Sequence, residues 1–498
     1  MIRLRILFLY FVLGSTPAGA QVLRLALPEL PPGLGYPYRV MTMPTLYTIS
    51  SVFDGLTRID RNGELQPWLA TSWTQTSPTT WVFRLRDDVV FHNGRRFTAD
   101  TVVAVVTFLS ARANSGEAVA TEMEFLHSAA AVDDHTVEIR TDYPVPILPR
   151  FLPVMHMVEP EAFTEIGPEA FALEPVGTGP FAVEEFGPAK VTMTAHAAGW
   201  HPPRADGLEI YAVPDATSRV QALISGSVDI ALALGPDDRS LVESIGGEFR
   251  GWRSETVRTI SFVLSEKPGP LDDVRVREAL NLAIDRQSII EGLLGGVTMP
   301  ANQGTTPAAE GFNPDLPPIP YDPGRARALL EEAGYGDGLT LTVESVVGAS
   351  GTDRAMYQQV ARYLRDVGVK MSTVPVTFSH LFDHFERGGW HGDAFGMVYS
   401  TEPVIDSIRP LRNNSCLRPA PWYCNTELSD LIEDALTEPD VNKRIALKQH
   451  IVARYREEAP AIFLWPEPRF AGLGPHVTGY DDVHGFISYD RLALEREE

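Results

Sequence analysis

WVFRLRDDVVFHNGRRFTADTVVAVVTFL, residues 81–109, decides how the rest of the chain is read. Trp81, Phe83 and Leu85 alternate with Val82, Arg84 and Arg86, the period of a half-buried strand. Asp87-Asp88 suits a turn, Val89 to Phe91 reads as a second short strand, and Asn93-Gly94 is a strong turn pair. Thr98 stands where it can cap a helix whose Val102, Val105, Val106 and Leu109 share one face. A hairpin followed by a helix is expected here. The segment holds no catalytic constellation.

The first twenty residues have the layout of a cleavable leader. Arg3 and Arg5 precede an apolar run from Ile6 to Leu13, and Ala18-Gly19-Ala20 supplies small residues for cleavage before Gln21. No cysteine lies near that point to carry a lipid anchor, and no later apolar run is long enough to span a membrane. The mature chain is expected to be soluble in an exported compartment, the periplasm of a Gram-negative bacterium. At 498 residues it should hold more than one folding unit. The formal charge of −23 works against binding to nucleic acid or anionic lipid, because phosphate polymers need basic patches. The two cysteines, Cys416 and Cys424 in NNSCLRPAPWYCN, close a short loop. In an oxidising compartment they favour a disulfide, and too few soft ligands lie nearby for a metal site.

Further along, strands and helices alternate, which argues for α/β lobes around mostly parallel sheets. Glu174 to Phe181 reads EPVGTGPF, and Pro180 blocks the helix that a phosphate loop would open, so a turn or hinge is expected. Arg219 to Ile230 reads as a helix, a Gly226 cap and a short strand. Leu271 to Leu294 carries Ala279, Leu280, Ala283 and Ile284 at helical spacing. Asp322-Pro323 starts another helix that Gly334 ends, and Met356, Val360, Leu364 and Val367 mark the next, stopped at Gly368. A β-rich stretch from Val369 to Phe378 follows.

The 81–109 segment, EPVGTGPF, DDVRVREALNLAIDRQSII and the cysteine pair together resemble the family 5 extracellular solute-binding proteins. These are receptors that bring peptides, nickel complexes and some oligosaccharides to ABC importers. The resemblance implies a two-lobe periplasmic binding protein fold (type II) with an inserted domain on the first lobe. It implies a leader at 1–20, first-lobe segments at 21–44, 175–257 and 468–498, the inserted domain at 45–174 and the second lobe at 258–467. Ligand would lie between lobes that close by a hinge, with no bond-making chemistry and no cofactor. The partners implied are a small ligand and the ABC permease, with no nucleic acid, only peripheral contact with a membrane complex, and a monomeric receptor.

A peptide in a closed cleft brings an ammonium and a carboxylate, and each needs a counter-charge. By likeness to dipeptide-binding relatives, Asp406 matches the amine-binding aspartate; a helix-capping role is its rival. Arg354, at the start of a helix, matches their carboxylate-binding arginine, with a solvated arginine as the alternative. Tyr399 stands where a tryptophan is common and is read either as stacking on ligand or as filling core. Tyr36, Tyr38 and Met43 lie in the early loop that should line the cleft. His380, Asp383, His384 and His391 form a local cluster, and a helix would place His380 and His384 on one face at a spacing that suits zinc or nickel. Solvated or capping histidines are the preferred reading, so no metal is assigned. Three functions remain to be separated: a peptide receptor, the same receptor with an opine, sugar conjugate or nickel chelate as cargo, and a secreted hydrolase. The last would need a motif such as G-x-S-x-G, which the sequence lacks.

Overall fold

The computed structural model describes residues 21–495 apart from 40, 42, 267 and 347–351. The expected leader at 1–20 lies outside the described residues. A single ten-stranded sheet runs through the molecule. In chain order its strands are β1 (Val22–Leu27), β2 (Phe181–Phe186), β3 (Lys190–Ala195), β4 (Gly207–Ala212), β5 (Ile230–Leu232), β6 (Glu248–Phe262), β7 (Leu339–Ser345), β8 (Val369–Pro375), β9 (Ala394–Ser400) and β10 (Ala461–Leu473). Their spatial order is β8-β7-β9-β6-β10-β5-β1-β4-β3-β2.

The expected mostly parallel sheets are in fact mixed. β1 is parallel to β4 and β5, and β7 is parallel to β8 and β9. The meander β2-β3-β4 is antiparallel, as are the pairs that β6 makes with β9 and β10. The cause is connectivity. The chain crosses from one half to the other along β6 and returns along β10, so the two strands must run oppositely. The expected lobe boundaries at 257/258 and 467/468 fall inside these two crossing strands. Two large apolar cores flank them, one containing Leu23, Leu25 and Leu27 of β1, the other Leu341 and Val343 of β7 with Met356, Val360 and Leu364.

Residues 81–109 behave partly as expected. Thr80–Leu85 is a strand and Ala99–Ser110 a helix with Thr98 at its cap, whose N–H donates to Thr101 Oγ1 at 3.4 Å. Val102, Val105, Val106 and Leu109 are all buried. The hairpin differs: 80–85 pairs with Ala70–Ser77 and Thr136–Thr141, and 89–91 contributes only the bridge Val90–Arg96 around the Asn93-Gly94 turn. The stretch from Leu271 to Leu294 divides into two helices, Val274–Leu282 and Arg286–Leu293, because Asp285 caps the second by accepting from Ser288 N–H. Asp322 caps Pro323–Glu332 as expected, and Gly334 (φ +89°) sits just past its end. Cys416 and Cys424 are disulfide-bonded.

Candidate functional site

The site begins with two prolines. Pro466 and Pro468 lie in β10 and have no N–H to give to β6. The ladder between the strands pairs Arg253 with Pro468 and resumes at Val257 with Pro466, so Ser254, Glu255 and Thr256 bulge out of register opposite Glu467. The freed backbone finds partners in the segment after β9. Glu255 N–H donates to Glu402 Oε1 (3.2 Å), and Glu255 O accepts from Thr401 N–H (3.0 Å) and Thr401 Oγ1 (2.9 Å).

Beside the bulge lies a cavity of about 400 Å³, lined among others by Trp252, Arg253, Ser254, Glu255, Thr306, Glu402, Arg469, Asp482 and His484. Its size falls within the range of small-molecule sites. Its residues come from both crossing strands, from the 297–308 and 401–406 segments of one half, and from Arg61 and the 482–484 turn of the other. Ser254 Oγ is buried without a hydrogen-bond partner among the described residues. Burial of this kind is costly unless something fills the gap.

Charge in the wall is unevenly paired. Glu402 meets Arg469, and although burial opposes ionisation, the guanidinium holds the Glu402 carboxyl below the usual range. Asp482 accepts from Tyr47 Oη (2.7 Å) and Gly485 N–H (2.9 Å), yet burial still pushes its carboxyl up. Glu255 has the Thr306 hydroxyl as a donor and no ion pair among the described residues. Burial, opposed by that hydroxyl, raises its pKa.

The two halves also hold each other directly. Arg150, buried in the first half, donates to Gly63 O (3.0 Å) of its own side, and to Val404 O (3.0 Å) and Ile405 O (2.7 Å) of the segment after β9. Ile405 adopts φ +55°, a left-handed conformation that is unusual for a β-branched residue. Its side chain packs with Ile59, Leu65, Ala308 and Ala309 in a small cluster drawn from both sides. Arg409 forms a fork with Glu122 at 2.7 and 3.0 Å, and Arg412 meets Glu124.

The residues singled out from sequence sit as follows. Asp406 is buried and its carboxylate pairs with Lys448, which is fully buried and also bonds Glu310 Oε1 (2.9 Å); its other oxygen accepts from Ile408 N–H (2.9 Å). The amine-binding expectation is corrected here: a carboxylate already holding a buried ammonium and a backbone N–H is a framing group. Tyr399 is buried edge-to-face with Phe463 (5.6 Å), beneath the closely approaching Gly304, and fills core. Tyr36 and Tyr38 pack with Phe163 and Phe108, and Tyr38 Oη donates to His156 O (2.8 Å), so they also serve the core. Met43 is half-buried against Gly485. None of these five lines the cavity. Arg354 is exposed on the first turn of helix Asp353–Arg365, whose Asp353 lies 3.5 Å from Arg258 of β6. Sequence reading passed over Glu255, Arg469 and Glu402. The signal for them was Pro466-Glu467-Pro468, two prolines inside an otherwise β-rich run.

A family model described as bacterial extracellular solute-binding proteins, family 5 (middle region), matches residues 64–404. The nickel-binding periplasmic protein of Escherichia coli (strain K12) is 26% identical over 445 residues, 83% of each chain. The glutathione-binding protein GsiB of Shigella dysenteriae is 27% identical over 446 residues, 86% of each chain. Among solved structures, NikA from Brucella suis in complex with Fe(III)-EDTA superposes with a TM-score of 0.84 at 22% identity, covering 95% of this chain and 100% of that one. The chain belongs to family 5 of the bacterial extracellular solute-binding proteins. It has the two-lobe type II fold and is a non-catalytic periplasmic receptor that hands its solute to an ABC permease. Among the described residues no helix is long and apolar enough to cross a membrane.

Proposed function

We propose that this family 5 receptor carries a short peptide, of two or three residues, in the cavity beside the β6 bulge. The carrying observation is Glu255, a part-buried carboxylate in the cavity wall with no ion pair among the described residues. A peptide ammonium would supply one. Arg253 in the same wall would face the carboxylate end. Trp252 offers an aromatic face to a side chain. In this reading the lobes are 21–44, 175–257 and 468–498 on one side and 258–467 on the other, with 45–174 inserted, and they close about the bulge. The likeness to a glutathione-binding protein supports a cargo of this size and charge, since glutathione is itself a tripeptide.

The test is a thermal-shift and calorimetric screen of dipeptides and tripeptides, free and N-acetylated, against the wild type and Glu255→Gln. A true ligand at 100 times its dissociation constant stabilises by about 2.7 kcal/mol. Free peptides should shift the wild type, while acetylation or the substitution should abolish the shift. A second reading, a metal chelate, draws on His484 in the cavity wall and on the likeness to a nickel-binding protein. Shifts with nickel–histidine complexes and none with any peptide would establish that reading in place of the first.

A further inference from the structure

Away from the cavity, three side chains converge on one point. Glu344, near the end of β7, is buried and presents Oε2 toward His380 and His384 of the helix Phe378–Arg387. The separations are 2.8 Å between the two Nε2 atoms, 3.4 Å from His380 Nε2 to Glu344 Oε2, and 3.7 Å from His384 Nε2 to the same oxygen. Ligands of one four- or six-coordinate ion, bound at about 2.0–2.2 Å, stand about 3 Å apart, so only small adjustments separate this arrangement from a coordination triangle.

The outer contacts fix which atoms are available. Glu344 Oε1 accepts from His391 N–H (2.7 Å) and Gly392 N–H (2.6 Å), which orients the carboxylate and leaves Oε2 without a hydrogen-bond partner among the described residues. His384 Nδ1 lies 2.8 Å from Gly388 O, so that nitrogen carries the proton and Nε2 keeps its lone pair. His380 Nε2 then donates its one proton to His384 Nε2, and Glu344 Oε2 is left with no donor among the described residues. One proton cannot serve both acceptors; one cation would serve all three. His384 and Glu344 are buried while His380 is part-exposed, which provides a path of entry. The His391 ring, with its centroid 6.1 Å from that of His380 and 5.7 Å from that of His384, lies alongside the remaining coordination positions.

We propose that Glu344, His380 and His384 form a resident binding site for a divalent transition-metal ion of the zinc–nickel–copper class. Two imidazoles and a carboxylate suit these ions and not calcium or magnesium, which prefer all-oxygen shells. The ion clamps helix Phe378–Arg387 onto β7, and it is separate from whatever solute the cavity carries. Untagged full-length mature protein, stripped with a chelator, should take up one equivalent of Zn2+ by calorimetry and elemental analysis, with a rise in Tm and no peptide present. His380→Ala, at the part-exposed position, should lower zinc affinity roughly 100-fold or more, as should Glu344→Gln, which retains the shape of the carboxylate. Glu255→Gln should leave zinc uptake unchanged. If stoichiometric zinc binding survives His380→Ala, or if the stripped wild type takes up no Zn2+ or Ni2+, the proposal is wrong. Should Glu344→Gln fail to fold, the His380 variant alone decides.

Discussion

Arg150 is the residue through which the contact between the two halves is most directly tested. Its guanidinium joins Gly63 O of one half to Val404 O and Ile405 O of the other, at 3.0, 3.0 and 2.7 Å, inside a buried contact. Hydrogen bonds from a charged donor contribute about 1.5–3 kcal/mol each. Gly63 O stays on the same side when the halves part, so two bonds are at stake in closure, or about 3–6 kcal/mol. Arg150→Ala should shift the open–closed balance toward open by roughly 100-fold or more. Since a ligand gripped from both halves needs the closed form, its apparent dissociation constant rises by the same factor. Small-angle scattering of the free and ligand-saturated protein, paired with calorimetric titration, reads both effects. Arg409→Ala provides the scale: its fork to Glu122 is partly solvated, and its loss should cost about 1 kcal/mol. If Arg150→Ala leaves both the scattering profile and the affinity at wild-type values, the contact does not govern closure.

Asp406→Ala should destabilise the fold by up to about 3 kcal/mol in urea unfolding, because it leaves the fully buried Lys448 with only Glu310, which it shares with Arg444; a stable variant with selectively lost peptide binding would restore Asp406 to the ligand site. Peptide affinity should fall by up to about tenfold per pH unit as the solution is acidified through the raised pKa of Glu255, since the ammonium needs the ionised form. Glu255→Gln should flatten that profile, and an unchanged slope counts against Glu255 as the anchor. His156 is buried with both ring nitrogens unpartnered among the described residues, and burial lowers its pKa to about 4. The unfolded ring titrates near 6.5, so its effect on stability is absent above that value and grows as pH falls toward 4, reaching a loss of about 3 kcal/mol. His156→Leu should reduce the acid sensitivity of the urea midpoint between about pH 7 and 4.5, and equal slopes would refute this.

Local chemistry was legible along most of the chain. Helix starts at Thr98 and Asp322 and the ends at Gly226, Gly334 and Gly368 follow from side-chain and backbone preferences that act over a few residues. Asp285 could have been read as a cap dividing 271–294, because Ser288 three residues later supplies the N–H it accepts. Strand partnership was not legible. Alternation shows that 81–85 has a buried face but does not name its neighbours, which come from 70–77 and 136–141. The same gap produced the expectation of mostly parallel sheets, since two crossing strands that run oppositely are a property of the path between lobes.

The site shows where such reading stops. Whether a carboxylate is open to a ligand depends on which cations other elements bring to it. Asp406 is met by Lys448, 42 residues away in sequence, and is thereby committed to the frame. Glu402 is met by Arg469 across a separation of 67, whereas Glu255 is met by a hydroxyl. A linear motif ranks these three acids by neighbourhood, but the fold ranks them by residual charge, and the two orders differ. The prolines at 466 and 468 connect the two levels. A residue without an N–H breaks a ladder wherever it sits in a paired strand, so Pro-Glu-Pro in a β-rich run is a bulge signal in the amino-acid order itself. In this chain the bulge on the strand that runs between the halves lies in the wall of the cavity. Acids opposite such prolines, more than acids placed by likeness to a family motif, are the ones to test first for a solute's charge.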